Sequence, residues 1–370
     1  MSEQTGTDLK DFVDKHAQTS HLRVEKDLGG GFFRLRPGEA QRRQAQQDIR
    51  SVEDAVIELL RNSRDAGASN IYLATNTEDA FRRILVIDDG SGVPKSHHKT
   101  IFEPYVTSKL DTMTTDTWGV HGRGMALYSI SMNAEDAHVV KSEVDLGCAI
   151  AVKCYTKKLP EKRDQSTFPD FYVNEDKELV VRGPKNILRT ACEFAVESRK
   201  TCNVFIGSPV EIAATLFFLA QAKKDVKSVF SEPDSNTKVV DLLGYSSDVH
   251  DFKKYAAEIG ISLSKRTARR IMDGDINPQA SLLERIAKSG VSGSNASEFN
   301  ISDVTKVHHA KPKVPTIKLD DTDKESLVNA IKQEFPNVAD KYYLKSDIDP
   351  KVTIKKNKIS ISFEVSESDN

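Results

Sequence analysis

The stretch ELLRNSRDAGA, residues 58–68, decides the fold, and it ends a segment with a helical pattern of apolar side chains. Apolar residues recur with a 3.6-residue period from Val52 onward, so the sequence predicts an amphipathic helix that ends within the quoted stretch. Glu58, Asn62 and Asp65 stand at i, i+4 and i+7 on this helix, within about 60° of one another. Two carboxylates and an amide on the face opposite the apolar one can line a cleft, although a solvated polar stripe has the same pattern.

Two strand-like runs follow the helix, and the second leads into an acidic turn. Residues 71–75 and 84–87 are apolar, and DDGSG follows the second run. A strand that runs into Asp-x-Gly-x-Gly delivers Asp88 at its end, while Gly90 and Gly92 let the backbone turn and approach a flat ligand closely. The Asp88 carboxylate can accept a hydrogen bond from an exocyclic amine such as adenine N6. An ordinary acidic turn is the alternative interpretation.

A glycine-rich segment, GVHGRG, precedes the apolar sequence MALYSI. Glycines that open a helix present backbone N–H groups to an anion, so Gly119, Gly122, Arg123 and Gly124 form a candidate phosphate site. The segment lacks the βαβ context of a dinucleotide fingerprint and the Gly-Lys-Ser/Thr ending of a P-loop, which argues against both motifs. The stretch from about residue 95 to 123 has little apolar periodicity, which is typical of a functional lid or a disordered loop.

Length and composition limit the class of protein. The chain has 370 residues with 53 basic and 55 acidic side chains, a net charge of -2, so any nucleic-acid binding must be local. At about 150 residues per domain, this length predicts two or three domains. No apolar run approaches the ~20 residues of a membrane span and the N-terminus has no signal-like pattern, so we expect a cytoplasmic protein with no membrane contact. The four cysteines lack CxxC spacing, which favours buried reduced thiols over zinc or disulfides.

The motifs occur in one order: ELLRNSRDAGA, then VIDDGSGVP, then TSK and GVHGRGMALYSI. In this order and at these separations they resemble the nucleotide site of the GHKL ATPases. That superfamily comprises the ATPase subunits of type II topoisomerases, MutL-type mismatch repair proteins, heat-shock chaperones of the ninety-kilodalton class and sensor histidine kinases. The resemblance covers roughly residues 50–135, and we expect it to continue to about residue 220. It implies an α+β fold with a two-layer α/β sandwich of the Bergerat type, and ATP and Mg²⁺ as cofactors.

The resemblance also implies a role for each matched residue. Glu58 would be the general base that orients the attacking water, and Asn62 would hold Mg²⁺ through its side-chain oxygen. Asp88 would bind the adenine amino group, over a floor shaped by Gly90 and Gly92. The remaining residues expected around the nucleotide are Asp65, Lys109, Gly119, Gly122, Arg123 and Gly124.

Glu58 separates the branches of the superfamily. Sensor kinases usually carry an Asn-rich helix motif without the hydrolytic glutamate, and no obvious phosphoacceptor-histidine helix precedes the site in this sequence. The resemblance therefore implies ATP hydrolysis rather than phosphotransfer to histidine.

The second half of the sequence contains a locally basic helical module. Residues 251–290 carry eight basic and five acidic side chains and show three short amphipathic helices, at 251–259, 264–272 and 281–288. Four cations at i, i+1, i+4 and i+5 of the second helix form an edge suited to phosphate contact, although a solvated charged face is the alternative. These candidate nucleic-acid contacts are Lys265, Arg266, Arg269 and Arg270.

The order of these parts is similar to that of the ATPase subunit of topoisomerase VI, in which a helix-two-turn-helix module and an α/β transducer follow the ATPase domain. We therefore predict an N-terminal arm (1–45), an ATP-binding domain (46–222), a helical helix-turn-helix-like module (223–290), a linker (291–312) and a small α/β segment (313–370). The last segment is short for a transducer.

The predicted function is that of an Mg²⁺-dependent ATPase, either topoisomerase VI B-like or DNA-repair-like. Its lid would close on ATP, and its candidate partners are DNA, a second copy of the chain and a topoisomerase A-like or other protein. One alternative is a DNA-binding regulator or defence protein that senses ATP with little turnover. Another is a chaperone-like ATPase whose helical module binds protein and retains no DNA.

Overall fold

The chain divides into two compact units, Met1–His308 and His309–Asn370. All the candidate residues of the predicted nucleotide and nucleic-acid sites belong to the first unit. The computed structural model describes residues 23–36, 49–107, 114–116, 119–121, 124–173, 179–223, 232–290, 292–293, 307–309, 320–342, 344–355 and 358–366.

Strands and helices are both present throughout the first unit. The described strands are β1 (Arg23–Gly29), β2 (Phe32–Arg36), β3 (Asn70–Glu78), β4 (Phe81–Asp88), β5 (Val106–Thr107), β6 (Thr114–Asp116), β7 (Gly119–His121), β8 (Asp136–Ser142), β9 (Cys148–Tyr155), β10 (Asp170–Val173), β11 (Leu179–Arg182), β12 (Asn203–Gly207), β13 (Ser292–Gly293) and β14 (Val307–His309). The described α-helices are α1 (Val52–Asp65), α2 (Ala126–Asn133), α3 (Ile187–Glu197), α4 (Pro209–Lys223), α5 (Val249–Glu258), α6 (Lys265–Met272) and α7 (Leu282–Ser289).

Helix α1 is the helix predicted from the stretch that decides the fold. It begins with a capping box, in which the Ser51 side chain accepts from the Asp54 N–H and the Asp54 side chain accepts from the Ser51 N–H. Val56 and Leu60 are fully buried, because they lie on the apolar face that the 3.6-residue period predicts.

A five-stranded sheet in the order β12-β3-β4-β9-β8 forms the centre of the first unit. β3 pairs antiparallel with β4, as predicted for residues 71–75 and 84–87, and β12 joins β3 in parallel. The register places Asp88 opposite Ile71 of β3 and Cys148 of β9. Asp88 therefore ends a central strand.

Helices cover both faces of this sheet. Leu73 and Val86 belong to a buried cluster with side chains of α1, α3 and α7, whereas Tyr72 and Leu85 belong to a second cluster with side chains of α4, α5 and α6. Successive side chains of a strand point to opposite faces, which explains this division. Helix α4 is apolar all round, and such a helix is stable only when both its sides are covered. The predicted α+β class is confirmed. Helices α5 and α6 of the helical module, together with α4, form a layer on one face of the sheet that carries Asp88, whereas α7 packs on the other face.

The predicted helical module contains the three helices expected from the sequence, α5, α6 and α7. Asp248 caps α5 and Ser264 caps α6, each by accepting a hydrogen bond from a backbone N–H of the first turn. The boundary predicted between residues 222 and 223 stays a prediction.

The predicted N-terminal arm contains a hairpin that the sequence did not reveal. β1 pairs antiparallel with β2, and β2 pairs with β5. Gly29, Gly30 and Gly31 form the turn with φ values of 81°, 59° and 79°, a region that glycine enters without steric cost. The hairpin is therefore encoded mainly by its turn, since its strands show no clear alternation of apolar and polar residues.

The predicted lid is described only in part. Two short 3-10 helices, Lys95–His97 and Thr100–Phe102, precede β5, and β6 pairs antiparallel with β7. Lys109, Gly122 and Arg123 lie outside the described residues.

The second unit contains helix α8 (Asp321–Ala339) and an antiparallel pair of strands, β15 (Lys351–Lys355) and β16 (Lys358–Ser362). The sequence patterns predict a helix over 324–335 and a strand pair at 352–355 and 359–365, so both elements are found with slightly different bounds. Across the part of the chain that the structure describes, none of the helices has the length and apolarity of a membrane span.

Candidate nucleotide site

Asp88 is the buried acid of the site, with 4% of its surface exposed. Its Oδ2 atom accepts a hydrogen bond from Oγ of Ser63 at 2.7 Å, and its Oδ1 atom accepts one from the N–H of Gly90 at 3.0 Å. Burial raises the pKa of Asp88 to about 6, although these two hydrogen bonds oppose the rise. A carboxylate accepts up to about four hydrogen bonds, so this one has capacity for a ligand amino group.

Asp89, the second acid of the DDGSG sequence, has a structural role. The Oδ1 atom of Asp89 accepts hydrogen bonds from the N–H groups of Ser69 and Asn70 at 2.8 Å each, and Oδ2 accepts one from Nδ2 of Asn70 at 2.8 Å. Asp89 thus ties the loop to the start of β3 and leaves Asp88 as the acid of the candidate site.

The two glycines of the acidic loop, residues 88–93, lie against neighbouring backbone. A Cβ atom on Gly90 would lie 2.8 Å from the carbonyl oxygen of Ala66, at the end of α1. A Cβ atom on Gly92, where φ is +64°, would lie 2.0 Å from the carbonyl oxygen of Glu143. Both glycines are therefore needed for close approach, whether or not they also face a nucleotide.

Three of the predicted residues lie on α1. The Oε1 atom of Glu58 accepts a hydrogen bond from Nη1 of Arg61 at 2.5 Å, and the arginine side chain is only 5% exposed. Asp65 pairs with Nε of Arg64 at 3.3 Å. Because Ser63 of the same helix bonds to Asp88, α1 and the end of β4 are held together at this site.

Asn62 provides a test of whether the site suits a metal. Its Nδ2 atom is buried and has no hydrogen-bond partner among the residues that the structure describes. The oxygen and nitrogen of an amide are told apart only by their hydrogen bonds, so a half-buried amide with an unused polar atom suits a ligand-binding role.

No three His, Cys, Asp or Glu side chains are grouped to hold a metal ion within the described ranges. Mg²⁺ in a nucleotide site takes most of its ligands from phosphate and water and needs only one or two protein oxygens. The Asn62 amide therefore fits the Mg²⁺ that the resemblance implies.

The candidate phosphate residues are placed only in part. Gly119 begins β7, opposite Asp116. Gly124 has φ +67° and accepts a backbone hydrogen bond from Tyr105 at 3.0 Å. Helix α2 follows at once, and its N-cap residue Met125 makes no side-chain cap, so the first-turn N–H groups lack that acceptor.

Sequence reasoning missed two residues that shape the site from within the quoted motifs. The sequence motif assigns no role to Ser63, yet its hydroxyl donates to Asp88. It assigns none to Arg61 either, yet this side chain is buried and pairs with Glu58. The three-residue separation of Glu58 and Arg61 was the available signal, because side chains at i and i+3 face each other on a helix.

The turn between β8 and β9, residues 142–147, supplies further supporting groups. Oγ of Ser142 accepts a hydrogen bond from the N–H of Val93 at 2.7 Å and donates to the carbonyl of Gly147 at 2.8 Å. Gly147 has φ +87°, and a Cβ atom there would lie 2.1 Å from the carbonyl oxygen of Asp88. No sequence motif announces these contacts, because they join segments about fifty residues apart.

The four candidate nucleic-acid contacts lie on an exposed face of α6, whereas Ala268 and Ile271 of the same helix are buried. Nε of Arg270 lies 3.7 Å from Oδ2 of Asp275, with both side chains more than half exposed. Throughout the described ranges, no ion pair is formed by the other three cations, Lys265, Arg266 and Arg269.

The cysteines are buried free thiols. Burial raises the pKa of Cys148, Cys154 and Cys192 to about 12 and also raises that of Cys202. These thiols stay protonated at neutral pH and serve as apolar side chains.

Comparison with known proteins places the motifs in a family context. Residues 49–156 match the family described as histidine kinase-, DNA gyrase B-, and HSP90-like ATPase. The DNA mismatch repair protein MutL of Thermus aquaticus is 42% identical over 85 residues, which are 23% of this chain and 15% of that protein. MutL of Clostridium beijerinckii is 29% identical over 203 residues, 54% of this chain and 24% of that protein. The chain thus spans a quarter or less of the length of these relatives.

A solved structure, full-length ShkA in complex with AMPPNP, aligns over 72% of this chain and 61% of that chain with 16% identity and a TM-score of 0.22. So low a score supports no statement about the fold. The sequence matches support a GHKL-type ATPase segment at residues 49–156. The finer likeness to the ATPase subunit of topoisomerase VI stays a prediction.

Proposed function

We propose that this protein binds and hydrolyses ATP with Mg²⁺ at the site formed by α1, the acidic loop and the glycine-rich segment before α2. The observation that carries the proposal is the placement of Asp88, buried at the end of a central strand and bonded to Ser63 of the helix that bears Glu58 and Asn62. Family matches at residues 49–156 support the same conclusion.

In this proposal, Asp88 is the residue that recognises adenine. Its hydrogen bonds from Ser63 and Gly90 fix the plane of the carboxyl group, and its ionised form accepts from the amino group of the base. Discrimination in favour of adenine follows, because a base that offers a carbonyl oxygen at this point would face a second acceptor.

Glu58 is the residue that we propose acts as the general base in hydrolysis. Arg61 holds the glutamate carboxylate in one position, and a fixed carboxylate is suited to orient a water molecule toward the terminal phosphate. The Asn62 amide is the group on this chain that would hold Mg²⁺, which would supply neutralisation of the phosphate charge. The N–H groups at the start of α2 contact the phosphates, and phosphate contacts from residues 95–124 close the lid.

DNA is the proposed macromolecular partner, bound by the exposed cations of α6. Three of these cations lack ion pairs among the described residues, and cations in that state lose little when they contact phosphates. Matched relatives bear the name DNA mismatch repair protein, which favours a DNA-repair role over a topoisomerase role. ATP-dependent dimerisation on DNA is part of this proposal.

Replacement of Glu58 by alanine tests the hydrolytic site. We expect kcat for ATP hydrolysis to fall by a factor of about 10²–10⁴, the usual contribution of a general base, while the affinity for ATP stays within severalfold. Glu78→Ala removes an exposed acid at the end of β3, which pairs with Arg83 of the neighbouring strand β4, and is the matched control. Unchanged hydrolysis in the Glu58 variant would exclude it as the base.

An ATP-sensing DNA-binding regulator is the second candidate. The three α6 cations that form no ion pair within the described ranges favour DNA binding whether or not the site turns ATP over. Background hydrolysis in the wild-type protein, together with DNA affinity that changes on ATP binding, would identify this function.

A further inference from the structure

The turn between β8 and β9 is fastened to the acidic loop. The N–H of Asp145 donates to the carbonyl of Ser91 at 2.7 Å, and the N–H of Val93 donates to Oγ of Ser142 at 2.7 Å. The close contact of Gly92 with the carbonyl of Glu143 lies between these bonds. The turn therefore moves with the loop that carries Asp88.

The same turn is also fastened to the helical layer. The carbonyl of Leu146 accepts a hydrogen bond at 2.8 Å from the N–H of Val239, which begins a 3-10 helix packed among α4 and α5. At the end of β8, Nζ of Lys141 lies 2.8 Å from Oε2 of Glu258, the last residue of α5. One short segment thus contacts both the candidate adenine site and the module that carries the basic helix.

A β-bulge in β8 changes the face of the sheet on which the following residue, Lys141, lies. Val139 pairs with Ile150 and Lys141 pairs with Ala149, so residue 140 is an extra residue in β8. Ile150 faces the cluster that contains α1, whereas Ala149 faces the cluster that contains α5 and α6. Since paired residues share a face, the bulge turns Lys141 toward the helical layer, where Val140 also packs.

The link between α5 and α6 rests directly on the sheet. Gly260 has φ +89°, and a Cβ atom there would lie 3.2 Å from Cδ1 of Leu85 and 3.3 Å from Cγ2 of Val140. Helix α6 begins five residues after Gly260. Because Gly260 packs against Val140, a displacement of β8 would also displace the basic helix.

We propose that the β8–β9 turn and the bulge of β8 transmit occupancy of the nucleotide site to α6, so that nucleotide and DNA change each other's affinity. The inference rests on the proposed function, since it takes adenine at Asp88 and DNA on α6 as its two ligands. A nucleotide that favours one position of the acidic loop favours one position of the turn, and through Lys141 and Glu258 one position of α5. The two charged residues also line a cavity of about 880 Å³ between the turn and α5.

Coupling of this kind is reciprocal. If bound nucleotide changes the DNA affinity by some factor, bound DNA must change the nucleotide affinity by the same factor. Both Kd values can be measured on the full chain, with a non-hydrolysable ATP analogue plus Mg²⁺ and a short labelled DNA duplex as the two probes.

Lys141→Met tests the contact that carries the coupling. In the wild-type protein we expect saturating analogue to change the Kd for the duplex by about fivefold or more, and we expect this factor to fall toward one in the variant. Lys324→Met is the matched control: Lys324 pairs with Asp321 at 2.7 Å within helix α8 of the second unit and makes none of the contacts described above. Both variants lose one positive charge, so their direct electrostatic effects on DNA are comparable, and only Lys141→Met should lose the coupling.

Gly260→Ala provides a second test with its own control. Gly274 has φ +82° and no atom within 4 Å of an added Cβ, so Gly274→Ala introduces the same backbone strain without a contact to the sheet. We expect Gly260→Ala to reduce the coupling factor and Gly274→Ala to leave it unchanged.

The outcomes separate this inference from the proposed function. If the analogue and the duplex both bind but neither changes the affinity for the other, the coupling is wrong and the proposed function stands. Equal loss of coupling in Lys141→Met and Lys324→Met would also overturn it. Failure of the wild-type protein to bind either probe would overturn the proposed function and the coupling with it.

Discussion

At the scale of single residues, Asp88 combines two opposed requirements. Burial favours the protonated carboxyl group and raises its pKa to about 6, whereas recognition of an amino group needs the ionised form. Hydrogen bonds from Ser63 and Gly90 keep ionisation within reach of neutral pH. The site therefore holds its acid at a cost to stability that a bound ligand can offset.

Asp88→Asn should make the protein more stable at neutral pH while it weakens ATP binding. The pKa of Asp88 is about 6 in the folded protein, above its ordinary value of 3.8. Because the folded protein holds this proton more tightly than the unfolded chain does, the free energy of unfolding of the wild-type protein falls as the pH rises from about 4 to about 7. Asparagine does not titrate, so the variant lacks this fall. The difference in unfolding free energy should approach about 1–3 kcal/mol at pH 7.5 and be small at pH 4. Urea unfolding at the two pH values measures it; a difference independent of pH would contradict the assignment.

The sequence predicts single residues where a periodic element fixes their direction. Helical spacing placed Glu58 and Asn62 on one face, and the strand end placed Asp88. It could not reveal the bond between Ser63 and Asp88, because the two lie 25 residues apart and meet only when α1 packs on the sheet.

At the scale of elements, the backbone of the acidic loop packs closely against the backbone of the β8–β9 turn. Gly92→Ala should lower the unfolding free energy by well over the roughly 1–2 kcal/mol that a left-handed alanine costs, because its Cβ would also meet the carbonyl of Glu143. Gly67→Ala is the control, since Gly67 has φ +73° and nothing within 4 Å of an added Cβ. Urea midpoints compare the variants, and equal losses would show that the crossing is looser than the structure indicates.

Helices were easier to predict than irregular strands. Helices α1, α5, α6 and α7 follow from apolar periodicity and their capping residues, which are local signals. The hairpin of β1 and β2 and the bulge of β8 lack such a signal, since a bulge breaks the two-residue period on which strand prediction depends.

At the scale of the whole molecule, the sequence suggests an ATP-binding domain with a separate helical module, whereas the structure packs both on one sheet. Composition changes near residue 223 and predicts a boundary there, but the uniformly apolar α4 was the signal that a second layer must cover it. The proposed coupling depends on this shared sheet, because α1 packs on one of its faces and the basic helix α6 on the other.

Truncation tests whether the two layers fold as one. A fragment of residues 1–222 would uncover Leu85 and Ile87 of β4 together with the outer side of α4, and each large side chain so exposed costs about 1.5–3 kcal/mol. Since whole domains are stable by only about 5–15 kcal/mol, we expect this fragment to aggregate or unfold. A fragment of residues 1–308 keeps both layers and should elute as a folded species with one cooperative thermal transition. Size-exclusion chromatography and calorimetry of the two fragments decide the point, because a stable 1–222 fragment would mean that the helical layer is an appended domain and would remove the basis for coupling through the sheet.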